Sequence, residues 1–120
     1  MQFVTLTEDA DGVSSYSEIP IQMTEQQFAP PAPPMLLSDG ETASRLLFLT
    51  LPAGWVGEMH PSPRKQVAIL LRGRFSVQAG DGEIREMGPG EIFRMEDTTG
   101  LGHRSAAVGP DSVDMAIVQF

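Results

Sequence analysis

The sequence contains no cysteine, which excludes disulfide bonds, thiolate metal sites and a cysteine nucleophile. Lysine is nearly absent as well, since Lys65 is the only one and the other basic residues are arginines. No apolar run approaches the length that spans a membrane. Nothing resembles a signal peptide, because Glu8, Asp9 and Asp11 follow the first residues directly. We therefore expect a cytoplasmic protein without a membrane partner.

Basic residues are also few: the chain has 8 Lys and Arg residues against 16 acids, a net charge of -8. Residues 1–59 contain eight acids and only Arg45, whereas residues 60–120 contain eight acids and seven bases. Binding to a phosphate backbone needs a basic surface, so the composition argues against a nucleic-acid partner. The acidity of the first half is interpreted as a contribution to solubility.

Helical patterns are scarce, and the 120 residues suffice for one domain. Only Thr24–Phe28 suggests a short helical turn. Short apolar segments separated by Gly and Pro turns recur instead, and they predict an all-β barrel or sandwich. Asp81-Gly82 predicts a tight hairpin. The predicted strands are Phe3–Leu6, Ile19–Met23, Arg45–Leu51, Gln66–Leu71, Arg74–Ala79, Glu83–Met87, Glu91–Met95, His103–Val108 and Val113–Phe120.

Residues 29–34, APPAPP, are the one compositionally biased segment. Proline-rich sequence favours extended polyproline structure and cannot join a central strand. We interpret this segment as a stiff connection. Residues 1–40 are then expected to form an N-terminal arm or strands that pack on the barrel or on a partner subunit, and residues 41–120 form the barrel.

Residues 54–73, GWVGEMHPSPRKQVAILLRG, carry a recognisable spacing. They resemble the first sequence motif of the cupin superfamily, in which His-x-His is followed by Glu and then by Gly. His60 occupies the position of the first histidine, and Gly73 closes the motif. Ser62 replaces the second histidine, and Gln66 replaces the glutamate, so two of the three ligand positions are changed.

The second cupin motif places a histidine shortly after a Gly and a Pro-x-Gly. Here His103 resembles that histidine, displaced by two extra residues in the loop that follows Gly90. The resemblance covers about residues 45–120. The chain also resembles a subgroup of small cupins with HPxPRxQ and EDTTGxGHRS sequences, and this similarity is closer than the match to the general motifs but implies no activity. The resemblance implies an RmlC-like jelly roll, a double-stranded β-helix with one pocket.

The residues expected around that pocket follow from the resemblance and from the segment's composition. A complete cupin site holds one divalent metal such as Fe, Mn, Ni or Zn, and the resemblance implies His60, Gln66 and His103 as the ligands here. Because two imidazoles and an amide make an incomplete set, we expect metal binding to be weak or absent. No catalytic residue is assigned. The expected pocket residues are His60, Ser62, Gln66, His103, Trp55 and Arg64.

Several side chains have alternative interpretations. Glu58, His60 and Ser62 share a face if their segment is a regular strand, although the intervening prolines would bend it. Glu58, Glu96 or Asp97 could supply a missing carboxylate. Ser62, Asp97 and His103 resemble a hydrolytic triad in composition, but the sequence has no nucleophile elbow. Phe93 and Met95 lie on the face opposite Ile92 and Arg94, and they either line the pocket or fill the core.

Two functions are open at this point. The first is a protein that binds a small polar or anionic molecule in the barrel pocket. The alternative is a metal-dependent cupin enzyme, a dioxygenase, isomerase or lyase, in which His60 and His103 hold the metal. A metal-free variant in which one histidine acts as general base is also open. Small cupins commonly pair, and the N-terminal residues suit that role, so we expect a homodimer.

Overall fold

A computed structural model describes all 120 residues, and every regular element in it is a β-strand. The prediction of an all-β fold with few or no helices is confirmed. The structure contains no helix that is long enough and apolar enough to span a membrane. In chain order the strands are β1 (Gln2–Glu8), β2 (Ser14–Pro20), β3 (Thr24–Gln26), β4 (Met35–Leu37), β5 (Arg45–Leu51), β6 (Gln66–Arg72), β7 (Arg74–Ala79), β8 (Ile84–Met87), β9 (Ile92–Met95), β10 (His103–Val108) and β11 (Val113–Gln119).

The strands form a six-stranded sheet, a three-stranded sheet and a separate hairpin. The large sheet has the order β2-β1-β9-β6-β11-β5, and the small sheet has the order β10-β7-β8. All pairings are antiparallel except that between β1 and β9. The turn at Asp81-Gly82 joins β7 to β8, which confirms the predicted hairpin.

The inward faces of both larger sheets pack into one hydrophobic core. Strand β7 illustrates the pattern, because Phe75, Val77 and Ala79 are buried while the intervening Ser76 and Gln78 are partly exposed. Alternate residues of a strand point to opposite faces, so this period of two fixes which side chains enter the core. Phe93 from β9 is fully buried there, and its ring packs edge-on against Phe75.

The N-terminal residues contribute directly to the barrel. Strand β1 lies inside the large sheet, hydrogen-bonded to both β2 and β9. The predicted strand Ile19–Met23 is wrong in its bounds, since the observed strand begins at Ser14 and ends at Pro20. Its sequence is largely polar because β2 is an edge strand, and its position is set by pairing along the full length of β1.

Residues 24–37 form a small hairpin. The helical turn predicted at Thr24–Phe28 is wrong, because residues 24–26 form β3 and pair with β4. The extended polyproline structure expected for residues 29–34 is also wrong, because Ala32 N donates to Ala29 O and closes a turn. The pairing of β3 with β4 brings the two ends of this segment together, which an extended segment would not allow.

Candidate functional site

The barrel interior contains a cavity of about 250 Å³. Eight of its eleven lining residues are hydrophobic, and the three polar ones are His60, Gln66 and Ser105. A cavity with an apolar wall and few polar groups is the usual composition of a small-molecule site. The hydrophobic lining residues are Leu49, Leu51, Trp55, Ala68, Phe75, Met95, Met115 and Ile117.

The two histidines of the chain are brought together by the backbone. His60 and His103 form an isolated antiparallel bridge in which each N–H donates to the other's carbonyl at 2.9 Å. Their ring centroids are 4.9 Å apart. Gly102 makes this approach possible, because its φ is +76° and a Cβ at this position would overlap the carbonyl of His60.

Both imidazole rings are oriented through Nδ1. His60 Nδ1 lies 2.8 Å from the carbonyl oxygen of Glu58, and His103 Nδ1 lies 2.7 Å from Asp97 Oδ2. A carbonyl oxygen only accepts, so His60 Nδ1 carries the proton, and the carboxylate fixes the same tautomer for His103. In the neutral rings, both Nε2 atoms therefore keep a lone pair.

Asp97 organises the region behind the histidines. Its side chain is fully buried, and its two oxygens accept from Ser62 Oγ at 2.9 Å and from His103 Nδ1. Ser62 N also donates to the Asp97 carbonyl. The triad residues considered above thus meet, but the carboxylate lies between the hydroxyl and the imidazole. Ser62 has no hydrogen bond to His103, so the arrangement does not activate a serine nucleophile.

Gln66 is held by two neighbours inside the barrel. Its Oε1 accepts from Gln119 Nε2 at 2.9 Å, and its Nε2 lies 3.6 Å from Met95 Sδ. Gln66 on β6 lies directly opposite Gln119 on β11 and directly opposite Met95 on β9. Gln119 is buried and does not line the cavity, and its own Oε1 has no hydrogen-bond partner.

The loop before His103 is attached to strand β1 through Glu8. Glu8 Oε1 accepts from Thr99 N and Oγ1, and Oε2 accepts from Gly100 N at 2.7 Å. The hydrogen bond from the Thr99 side chain is the main reason that the pKa of Glu8 lies below its usual value. This carboxylate therefore helps to fix the loop that positions His103.

The structure distributes the predicted pocket residues unequally. His60, Gln66 and Trp55 line the cavity, and His103 packs behind His60 without being part of the lining. Ser62 is buried against Asp97 and does not line the cavity. Arg64 is exposed on the surface, and its side chain makes no hydrogen bond or ion pair.

The residues left open in the sequence also have defined positions. Met95 lines the cavity, whereas Phe93 is buried with its ring edge-on to His103. Ile92 and Arg94 lie on the other side of β9, where they are partly exposed. His60 and Ser62 do not act as neighbours on one strand face, because residues 58–62 form no regular strand. Pro61 lies between them and lacks the N–H that a ladder requires.

Sequence reasoning missed the roles of Asp97 and Gln119. Asp97 was considered as a substitute metal ligand or a triad member but not as the buried acceptor that joins Ser62 to His103, and Gln119 was regarded as part of an ordinary strand. An acidic residue in the loop before His103 was the available signal for the first. The alternation Val113, Met115, Ile117, Gln119 places a polar side chain on an inward face and was the signal for the second.

The residues present form an incomplete metal site. His60 and His103 offer Nε2 atoms that are oriented as in many metal sites, where the other ring nitrogen donates to an oxygen. No third donor joins them, since Gln66 Oε1 is bonded to Gln119 and the Ser62 hydroxyl is bonded to Asp97. No group of three or more His, Asp or Glu side chains is close enough to hold an ion.

Comparison with known proteins identifies the architecture. No protein-family model and no curated protein matches the sequence. The structure is similar to an RmlC-like cupin family protein with a double-stranded β-helix fold from Methanocaldococcus jannaschii. The TM-score is 0.51 and the identity is 13%, over 95% of this chain and 86% of that chain. It is also similar to the cupin domain of Cnp3 from Schizosaccharomyces pombe, with a TM-score of 0.51 and 14% identity over 88% of this chain and 70% of that chain. The chain therefore has the double-stranded β-helix fold of cupin proteins, as its sequence motifs predicted.

Proposed function

We propose that the barrel cavity binds a small molecule with an apolar body and one polar end. The observation that carries this proposal is the lining, in which eight hydrophobic residues surround only three polar ones. This composition favours a more apolar ligand than the polar or anionic molecule expected from the sequence. Apolar contact would supply most of the affinity, and the polar groups would orient the ligand.

The methionine methyl groups allow a direct test. Met95 and Met115 line the cavity, whereas Met35 lies on the separate β3–β4 hairpin. Protein labelled with ¹³C at its methionine methyl groups would be titrated with acetophenone and cumene and followed by NMR. We expect the Met95 and Met115 signals to shift and the Met35 signal to stay unchanged. If neither cavity methyl responds to either probe at millimolar concentration, the proposal is wrong.

A matched pair of variants separates cavity binding from surface effects. Leu49→Glu places a carboxylate in the lining, at a position that is 39% exposed and so able to accept a charge. Leu71→Glu places the same group on β6 at an exposed position outside the lining. We expect the first variant to weaken probe binding about tenfold, since the charge must be desolvated on binding, and the second to leave binding unchanged.

The second candidate is a metal-dependent cupin enzyme. It is supported by the Nδ1 hydrogen bonds of His60 and His103, which leave both Nε2 atoms as potential ligands. Such an ion would act on substrate as a Lewis acid or redox centre. Metal analysis of purified protein tests this candidate. A stoichiometric transition metal that is lost in His60→Ala would favour the enzyme, and its absence after incubation with Fe, Mn, Ni or Zn would reject it.

We also propose that the chain forms a homodimer through β5. This strand ends the large sheet, so one of its edges is unpaired, and its Leu46 and Phe48 side chains are 61% and 76% exposed. A long apolar edge strand pairs readily with another strand. A second copy fits because antiparallel pairing of β5 with itself is symmetric about a twofold axis. Light scattering should give twice the chain mass, and Phe48→Glu should give the monomer. A wild-type monomer at micromolar concentration would refute the proposal.

A further inference from the structure

The Gln66 side chain contacts one residue outside the cavity lining and one within it. Its oxygen is directed to Gln119, which does not line the cavity, and its nitrogen is directed to Met95, which does. The amide oxygen is therefore occupied by a residue outside the lining, and the amide nitrogen lies beside a residue of the lining. A thioether sulfur is a weak acceptor, so the N–H groups of Gln66 are only partly satisfied.

Both neighbours favour this orientation of the amide. If Gln66 alone were flipped, its N–H₂ group would face the N–H₂ group of Gln119, and its oxygen would face the Met95 sulfur. If both glutamines were flipped, their mutual bond would survive, but the Gln66 oxygen would still face sulfur. Two acceptors in contact repel each other, and an unpaired buried amide is costly. Gln119 and Met95 together thus select the donor orientation.

We infer that Gln119 is a positioning residue that makes Gln66 a hydrogen-bond donor to a carbonyl group of the cavity ligand. This inference rests on the proposed function, and it specifies the polar end of the ligand. The His60 ring also lines this cavity, and because its Nδ1 donates to Glu58 O, the neutral form of the ring would offer an Nε2 acceptor there. The ligand class is therefore an apolar molecule that carries a carbonyl acceptor and an adjacent N–H or O–H donor, such as a carboxamide.

The same orientation explains why Gln66 does not complete a metal site. An amide binds a cation through its oxygen, and that oxygen accepts from Gln119 instead. Replacement of the glutamate of the cupin motif by glutamine thus changes the position from a cation ligand to a donor toward an electron-rich group. This change depends on Gln119, which lies directly opposite on β11.

Three probes of similar size and shape test the inference by methionine-methyl NMR. Acetophenone carries an acceptor only, benzamide carries an acceptor and a donor, and cumene carries neither. A hydrogen bond of ordinary strength corresponds to about a fivefold gain in affinity. We expect acetophenone to bind about fivefold more tightly than cumene, and benzamide more tightly again. Nuclear Overhauser contacts between the Gln66 side-chain amide protons and the Met95 methyl group should confirm the orientation directly.

Variants at position 119 test the role of the positioning residue. At a pH where its carboxylate is ionised, Gln119→Glu introduces a group that only accepts hydrogen bonds, so Gln66 should turn its nitrogen toward it and present its oxygen to the cavity. Acetophenone should then bind no more tightly than cumene, and the affinity for aniline, which is a donor, should increase about fivefold. Gln119→Met removes the hydrogen bond to Gln66 without adding charge. It should bring the ratio of the affinities for acetophenone and cumene close to one. Gln78→Glu, on the outer side of β7, should keep the wild-type ratio.

The outcomes distinguish this inference from the proposed function. An unchanged acetophenone-to-cumene ratio in Gln119→Met would show that Gln119 does not orient Gln66. Equal binding of acetophenone and cumene to wild-type protein would show that Gln66 offers no donor. In both cases the Met95 and Met115 shifts would still support a cavity for apolar ligands. If no probe shifts these methyl groups, the proposed function fails first, and the inference fails with it.

Discussion

Substitution of Gly102 by alanine should separate the two histidines and destabilise the barrel. Gly102 has a φ of +76°, and alanine in the left-handed region costs about 1–2 kcal/mol. The added Cβ also overlaps the His60 carbonyl, so the bridge between His60 and His103 must open. The loss of its two main-chain hydrogen bonds costs about 1 kcal/mol each. The expected loss in the free energy of unfolding is therefore about 3–4 kcal/mol.

Gly109→Ala is the matched control. Gly109 has nearly the same φ, +80°, but a Cβ there meets no atom within 4 Å. The free energy of unfolding of this variant should fall only by the cost of placing alanine in the left-handed region, about 1–2 kcal/mol. The difference between the two variants, about 2 kcal/mol, then measures the contact between Gly102 and His60.

Urea unfolding followed by the fluorescence of Trp55, the single tryptophan, gives both free energies, provided that the m-value is unchanged. Ring-to-ring contacts between His60 and His103 should disappear from the NMR spectrum of Gly102→Ala and persist in Gly109→Ala. If the two variants lose the same stability within about 0.5 kcal/mol, the resolution expected of such differences, then steric exclusion at Gly102 does not hold the histidines together.

Two further predictions concern buried and half-buried charges. Arg94 binds Glu41 through two hydrogen bonds, and the bond to Arg94 is the main reason that the pKa of Glu41 lies below 4.5. The stability from this pair is present above about pH 4.5 and is lost as pH falls through the lowered pKa. Thermal melts should therefore give wild type a higher melting temperature than Glu41→Gln at pH 7, and this difference should shrink toward pH 3. A difference in melting temperature that stays constant with pH would contradict this. Asp97→Asn leaves one acceptor oxygen where Ser62 and His103 need two, so we expect a loss of about 1–3 kcal/mol. Urea unfolding measures the loss, which Asp111→Asn on the surface should not reproduce.

The barrel was predictable because its signals are local. Strands Arg45–Leu51, Arg74–Ala79 and His103–Val108 were predicted with the bounds that the structure has. Each is followed directly by glycine or proline, and in β7 buried residues alternate with exposed or partly exposed ones. The edge strand β2 lacked this pattern, because most of its side chains are exposed and its pairing with β1 determines its bounds.

The polar network of the site was less predictable because its contacts are distant in sequence. Gln66 and Gln119 are 53 positions apart, and Ser62 and Asp97 are 35 apart. The motif placed His60 and His103 together, but it assigned Ser62 and Gln66 by analogy with metal ligands. Their actual partners depend on the register of β6 with β11 and on the path of the loop before His103, neither of which the spacing reveals.

Restoring the motif residues therefore should not restore a metal site. Ser62 is buried, faces Asp97 and does not line the cavity. A histidine in its place would have to displace that contact before it could join His60, and overpacking costs about 1–3 kcal/mol. Glutamate at position 66 would still accept from Gln119 through one oxygen. We expect Ser62→His/Gln66→Glu to be less stable than wild type and to bind no stoichiometric Zn or Ni by calorimetry. Tight binding of either metal to this double variant would show that the network of Asp97 and Gln119 adapts to the ligand set, and that the substitutions alone account for the incomplete site.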